Sequence, residues 1–184
     1  MHMPDAARRY TVEEVLAFPE DGNRYELVHG ELLVTPAPRA RHQALLGDLY
    51  YELRAYLERV GIGRVFFSPA DITWDDETLV QPDLFVVPEG QVSDDWRTYK
   101  TLLLAVEIHS PGSGRADRVV KRQLYQERRV EAYWIVDADA ALVEVWHPDD
   151  ERPEIVSDVL KWRVGQEAEV LEIELKRLFG ALPG

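Results

Sequence analysis

The sequence predicts one α/β domain, in which a mixed β-sheet is flanked by helices and extended at the N-terminus by a β-hairpin. Its 184 residues suit a single hydrophobic core. A long helical pattern stands among several strand-like runs, and one of those runs is almost wholly apolar, as in strands covered on both faces. We expect residues 1–184 to form one unit, with an N-terminal helix and hairpin at 10–38, a core at 39–147 and C-terminal strands with a short helix at 148–184.

Composition excludes several classes of protein. The chain has no cysteine, so it has no disulfide, thiolate metal site or cysteine nucleophile. No apolar run approaches the roughly 20 residues that span a bilayer, and the N-terminus lacks the pattern of a secretory signal. We therefore expect a cytoplasmic protein without a membrane partner. The net charge of −13 argues against a general nucleic-acid binder, because phosphate recognition would then need a local basic face.

The N-terminal segment predicts a short helix followed by a hairpin. Thr11 stands three residues before Glu14, which is the capping-box pattern of a helix start. The strand-like residues 24–28 and 31–35 then flank His29-Gly30, as the two arms of a β-hairpin would.

The central segment predicts a long helix and three strands. Apolar residues recur at helical spacing from His42 to Val60, and the glycines of Gly61-Ile62-Gly63 end that helix. The strand-like runs that follow are 64–74, 78–87 and 102–109.

The last third of the chain predicts one helix and several short strands. A Gly- and Pro-containing breaker at 110–114 precedes a helical pattern at 116–129. Residues 148–166 carry no clear pattern. The other predicted elements are strands at 132–136, 141–147 and 168–173 and a short helix at 174–179.

Two carboxylates interrupt apolar strand-like runs. Glu107 lies in the run 102–109, and Asp83 lies in the run 78–87 just after Pro82, which indicates a strand edge or a bulge. Burying a carboxylate is costly unless it is paired, protonated or bound to a metal. On neighbouring strands the two would face each other, and a divalent cation would relieve their repulsion. Hard oxygen ligands favour Mg²⁺ or Mn²⁺. The alternative is that each acid ends a strand and reaches water or an arginine.

A basic helical stretch follows these acids. Residues 115–129 contain six Lys or Arg and two acids, and Asp117, Lys121 and Tyr125 share one helical face. One interpretation is a simple i, i+4 ion pair between Asp117 and Lys121. The other is that Lys121 leans toward the carboxylates, where it could orient the attacking water and stabilise the developing charge.

The ordered set of motifs resembles the Uma2 family (domain of unknown function 820), restriction endonuclease-like proteins of the PD-(D/E)XK nuclease superfamily. The residues that carry this resemblance are 10–14, 24–32, 36–38, 41–43, 80–84, 106–107, 110–111, Asp117, Lys121, Tyr125 and 131–137.

The resemblance implies a restriction-endonuclease-like core with a divalent metal at Asp83 and Glu107. If the protein is an enzyme, we expect the backbone carbonyl of Ile108 to hold the metal as well. It also implies that the catalytic lysine has moved from the usual Glu-X-Lys place to the next helix, here Lys121. A further acidic position falls on the hairpin, at Glu31 or Glu26, and Glu31 is preferred because it directly follows the turn.

His109 stands where the superfamily commonly has that lysine. It shares a strand face with Glu107, so it could touch the metal or a bound phosphate and shift the metal preference toward Mn²⁺ or Zn²⁺. The alternative is a strand-end histidine that is hydrogen-bonded to a loop.

These observations favour an endonuclease that hydrolyses DNA phosphodiester bonds with Mg²⁺ or, in its place, Mn²⁺. One alternative is a non-catalytic nucleic-acid or protein-binding module that keeps the nuclease fold, in view of the acidic charge and the missing lysine at 109. Another is a phosphodiesterase acting on RNA or a small substrate. We expect a homodimer, because cutting both DNA strands needs two sites or a rebinding step.

Overall fold

The computed structural model describes residues 8–109 and 114–180, so most of the predicted breaker at 110–114 lies outside the described residues. The N-terminal elements match their prediction. Thr11 caps α1 (Val12–Leu16) through a capping box. The hairpin of β1 (Arg24–Val28) and β2 (Glu31–Thr35) turns through positive φ angles of 47° at His29 and 77° at Gly30.

The long helix α2 (Ala40–Val60) ends at Gly61, which adopts the left-handed conformation that glycine tolerates best. Its apolar stripe is buried along one face, as the periodicity predicts. That stripe packs on one face of the main sheet together with the C-terminal elements.

Two of the three predicted central strands are each divided into two. The run 64–74 becomes β3 (Gly63–Phe67) and β4 (Ile72–Asp75), with a cis Ser68-Pro69 bond between them. The run 78–87 becomes β5 (Thr78–Val80) and β6 (Leu84–Pro88), interrupted around Pro82. Proline cannot donate to a strand ladder, so both interruptions fall where the sequence carries a proline.

The remaining elements are two 3₁₀ turns in the polar loop (Glu89–Gln91 and Trp96–Thr98), β7 (Leu104–Ile108), a π-helix (Ala116–Lys121), α3 (Arg122–Glu127), β8 (Tyr133–Asp137), β9 (Leu142–Trp146), β10 (Glu154–Val156), β11 (Val159–Trp162), β12 (Leu171–Glu174) and α4 (Leu175–Gly180).

Within the described residues the strands form three sheets, whereas the sequence predicted one. The main sheet has six strands in the order β10-β9-β8-β7-β6-β3, and it is mixed because β7 and β8 run parallel. A four-stranded sheet has the order β2-β1-β5-β4, and β11 pairs with β12. The predicted α/β class, a mixed sheet flanked by helices, is therefore confirmed, but the chain crosses between sheets at the two prolines.

The main sheet is covered on both faces. One face carries α2, and the other carries α3 and part of the four-stranded sheet. Every residue of β7 is buried, as its apolar run predicts. In the ranges that the structure describes, no helix has both the length and the apolar character to cross a membrane.

Gly63 at the start of β3 is held in a close approach of strands. A Cβ added there would lie 2.9 Å from the Val87 carbonyl oxygen and 3.0 Å from a Val86 methyl group. We expect Gly63→Ala to lower the free energy of unfolding by about 1–3 kcal/mol, because the strand pair has no room to relax. Urea denaturation measures this. In the matched control, Gly47→Ala on α2, an added Cβ meets nothing within 4 Å. That control should be stabilising by up to about 1 kcal/mol, and similar effects of both changes would contradict the prediction.

Candidate active site

The pairing of β6 with β7 brings the two predicted carboxylates together. Leu84 lies opposite Val106, so Asp83, just before β6, meets Glu107 on the same face. Both line a pocket of about 210 Å³. Other lining residues are Arg24, Arg39, Arg41, His42, Ile108, His109, Asp117 and Lys121.

Asp83 is almost fully buried and is held by three donors. Its Oδ1 accepts from Arg24 Nη1 at 2.9 Å, and its Oδ2 accepts from His42 Nε2 at 3.0 Å and from the Ile108 N–H at 2.8 Å. Burial alone would raise the pKa of Asp83, but the hydrogen bond from His42 and the charge of Arg24 outweigh it and lower that pKa to about 2. An ionised carboxylate only accepts hydrogen bonds, so His42 donates from Nε2.

The lowered pKa of Asp83 predicts a loss of stability in acid. Its value of about 2 lies below the ordinary 3.8, so the contribution is complete above pH 4 and is lost as the pH falls through 2. We expect the stability advantage of the wild type over Asp83→Asn to shrink by about 2 kcal/mol over that range. Urea unfolding of both proteins with a chelator at several pH values measures this difference. An advantage that stays constant from pH 5 to pH 2 would contradict it.

Lys121 lies between two buried carboxylates. Its Nζ is 3.0 Å from Glu107 Oε1 and 2.7 Å from Glu26 Oε2. Tyr125 donates its hydroxyl to the same Glu107 oxygen at 3.2 Å. Burial would lower the pKa of Lys121, but the facing carboxylates, Glu107 first, raise it above its usual value. Lys121 therefore stays protonated, as a donor and a fixed positive charge.

Glu107 is the carboxylate that is hardest to ionise. Burial raises its pKa well above the usual range. Lys121 opposes this shift, and the nearby charges of Asp83 and Glu26 reinforce it. Without a further cation, Glu107 therefore favours its protonated form.

Glu26, and not the preferred Glu31, is the hairpin acid that joins this cluster. Glu26 has no exposed surface, and its Oε1 accepts from the Gln81 N–H at 2.8 Å. Glu31 has 53% of its side chain exposed and pairs with Arg115 at 3.3 Å. Both acids share a face of the hairpin, but Glu31 lies on the edge strand β2 beside the turn, whereas Glu26 lies on the interior strand β1.

Asp117 and His109 lie at the border of the cluster. Asp117 is buried, with Oδ1 4.0 Å from Lys121 Nζ and Oδ2 3.7 Å from His109 Nδ1. His109 follows β7, and its backbone N–H donates to the Val136 carbonyl at 2.8 Å. The i, i+4 pair of Asp117 and Lys121 is thus the longest of the three carboxylate contacts of Lys121.

Arg24 and His42 are site residues that the sequence did not indicate. Arg24 shares a strand face with Glu26, two residues away, and His42 lies in the first turn of α2. Both fall within segments that resemble the family, which was the available signal. Nothing in a single sequence indicates that the strand and the helix converge on Asp83.

The residues present fit a divalent cation of the hard-oxygen type. Among the described residues, no three His, Asp or Glu side chains are grouped to hold a metal by themselves. Mg²⁺ commonly takes only one or two carboxylates and fills its other positions with water or phosphate. The continued register sets Pro82 opposite Ile108. Proline has no N–H to donate to the Ile108 carbonyl, which leaves that oxygen as a candidate ligand.

The mouth of the pocket carries arginines. Arg39 and Arg41 line it beside the start of α2. Arg41 pairs with Asp139 at 3.0 Å, but 44% and 70% of the two side chains are exposed, so the pair contributes little and can be exchanged for another anion.

Comparisons with known proteins identify the family and the fold of this chain. The family model of Uma2, described as "Putative restriction endonuclease", matches residues 12–176. A solved structure described as a putative nuclease of DUF820 from Anabaena variabilis superposes with a TM-score of 0.77, covering 93% of this chain and 98% of that one. At 22% identity, that likeness shows a shared fold. No curated protein matched significantly. Because the family model spans most of its length, the chain belongs to the Uma2 family of restriction endonuclease-like proteins.

Proposed function

We propose that this protein is a divalent-metal-dependent endonuclease that hydrolyses DNA phosphodiester bonds. The observation that carries the proposal is the convergence of three residues on one pocket: Asp83 just before β6, Glu107 in β7 and Lys121 at the end of the π-helix. Membership of a restriction endonuclease-like family supports a nucleic acid as the substrate.

In this proposal Asp83, Glu107 and the Ile108 carbonyl hold Mg²⁺, for which Mn²⁺ can substitute. The bound ion would lower the pKa of a water ligand and neutralise charge that develops on the phosphate. Lys121 stays protonated, so it donates to the attacking water or to the phosphate and does not act as a base. Tyr125 holds Glu107 in place through its hydroxyl.

The substrate would enter past the arginines at the pocket mouth. Arg39 and Arg41 supply the local positive charge that an acidic chain needs to bind a phosphate backbone. We also propose that the hairpin and the core act as one nuclease domain, since Glu26 of the hairpin contacts Lys121 of the core. A homodimer would place two such sites on one duplex.

Nicking of supercoiled plasmid tests the proposal. We expect relaxed circles to form with Mg²⁺ or Mn²⁺, and none to form with a chelator. Short RNA, single-stranded DNA and duplex DNA in parallel reactions separate the nuclease from a phosphodiesterase with another substrate. Size-exclusion chromatography with light scattering tests the dimer. No ion-dependent cleavage of any substrate would refute the enzymatic proposal.

One observation favours a second candidate, a binding module that keeps the fold without turnover. Asp83 already accepts hydrogen bonds from Arg24, His42 and the Ile108 N–H, as it would in a purely structural cluster. This candidate predicts nucleic-acid binding that is unchanged by a chelator, together with an intact plasmid under every ion. The nicking assay, combined with a gel-shift measurement, distinguishes the two.

A further inference from the structure

Asp83 offers only one oxygen with room for a further ligand. Its Oδ2 accepts from His42 Nε2 at 3.0 Å and from the Ile108 N–H at 2.8 Å, which fills the roughly two acceptor positions of that oxygen. Its Oδ1 accepts from Arg24 Nη1 at 2.9 Å and keeps one position.

In Glu107, too, hydrogen bonds fill one carboxylate oxygen and leave room on the other. Lys121 Nζ at 3.0 Å and the Tyr125 hydroxyl at 3.2 Å fill Oε1. Among the residues that the structure describes, none donates a hydrogen bond to Oε2. Two-metal sites place ions about 3.5–4 Å apart. A carboxylate that bridges such a pair through both of its oxygens needs a free acceptor position on each oxygen. Here each carboxylate has one closed oxygen, whose acceptor positions are filled by hydrogen bonds, and one open oxygen, which keeps a position for a metal ion.

The charges of the cluster point the same way. Away from the pocket mouth, where Arg39 lies and Arg41 pairs with Asp139, the described carboxylates are Asp83, Glu107, Glu26 and Asp117, and the cations are Arg24 and Lys121. With all four carboxylates ionised, these groups sum to two negative charges. One divalent ion would neutralise these two negative charges. A second divalent ion would leave two uncompensated positive charges in a buried place, which is costly.

We propose that this cluster restricts the site to one divalent ion, because His42 and Lys121 help to fill one oxygen of each carboxylate and because Arg24 and Lys121 set the charge balance. The ion is held by the open oxygens of Asp83 and Glu107. This inference rests on the proposed metal-dependent function and adds its stoichiometry, together with a role for Arg24 in the charge balance of the site.

Titration of the full-length protein with Mn²⁺, followed by electron paramagnetic resonance of the free ion, counts the bound ions without any catalytic readout. We expect one tight site per chain. Two tight sites would overturn the inference and leave the metal-dependent function standing. No tight site would overturn both, so the two failures are distinguishable.

Two charge variants test the balance through the sign of their effects. Arg24→Gln removes a positive charge, so we expect it to tighten Mn²⁺ binding by on the order of tenfold. Glu26→Gln removes a negative charge from a residue that is not a proposed ligand, so we expect it to weaken binding by a similar factor. Exposed Glu31→Gln is the matched control and should leave affinity unchanged.

Opposite shifts in the two variants cannot come from misfolding, since loss of structure would weaken binding in both. Shifts in the same direction would overturn the charge balance. The wild-type stoichiometry decides the inference even where a variant does not fold.

Discussion

Replacing Glu107 by glutamine is expected to lower the rate of metal-dependent plasmid nicking by on the order of a thousandfold while the fold remains intact. The amide keeps the size of the acid but cannot supply the anionic oxygen that a hard cation needs. Losing several kcal/mol of charge stabilisation in the transition state corresponds to that factor. The fold tolerates the change because burial raises the pKa of Glu107, so that without metal the neutral acid is already favoured.

The measurement pairs initial nicking rates at saturating Mn²⁺ with the free energy of unfolding in urea. Glu144→Gln is the matched control: Glu144 is also a buried acid, but it pairs with Arg118 and does not line the pocket. We expect the control to lose some stability and to keep its nicking rate within about threefold. If Glu107→Gln retains wild-type activity, or if both variants lose it equally, Glu107 is not a metal ligand.

The location of Glu107 could be predicted from sequence because one local signal was strong. A run of apolar residues as long as a strand predicts a strand buried on both faces, and β7 is buried along its whole length. The capping box of α1, the hairpin and the long helix were predictable for the same reason: each depends on residues that are close in sequence.

The division of the central strands could not be predicted from apolar character alone. The runs 64–74 and 78–87 each read as one strand, but each spans two sheets in space. Which sheet a segment joins is decided by long-range packing, and here the prolines at 69 and 82 release the chain from one ladder before it enters another.

The residues that contact the carboxylates could not be predicted from the sequence, for a related reason. Strand alternation gives the face on which Glu26 and Glu31 lie but not which strand is interior, and that choice decides which acid meets Lys121. The net charge of −13 is likewise a property of the whole chain. The net charge therefore does not indicate that arginines, among them Arg24, line the pocket.

Lys121→Met is expected to lower the free energy of unfolding by about 3–5 kcal/mol, because it leaves buried carboxylates without their shared counter-ion. Lys121 is 3% exposed and contacts Glu26 and Glu107 within 3.0 Å, so no solvent replaces the lost charge. The matched control is Lys161→Met. Lys161 pairs with Glu172 at 2.8 Å, but 63% and 57% of these side chains are exposed, so we expect a loss of only about 0–1 kcal/mol.

The pH dependence of this loss separates an electrostatic cause from a packing cause. In Lys121→Met, Glu107 no longer has the cation that held its pKa down, so the folded variant keeps the Glu107 proton up to a higher pH than the folded wild type does. The variant therefore gains stability relative to the wild type as the pH falls, and its deficit should be smaller at pH 5 than at pH 8. Urea unfolding at both values, with a chelator present, measures the difference. A deficit that is independent of pH would mean that Lys121 contributes through packing of its side chain, and a deficit no larger than that of Lys161→Met would mean that the buried pair is not formed.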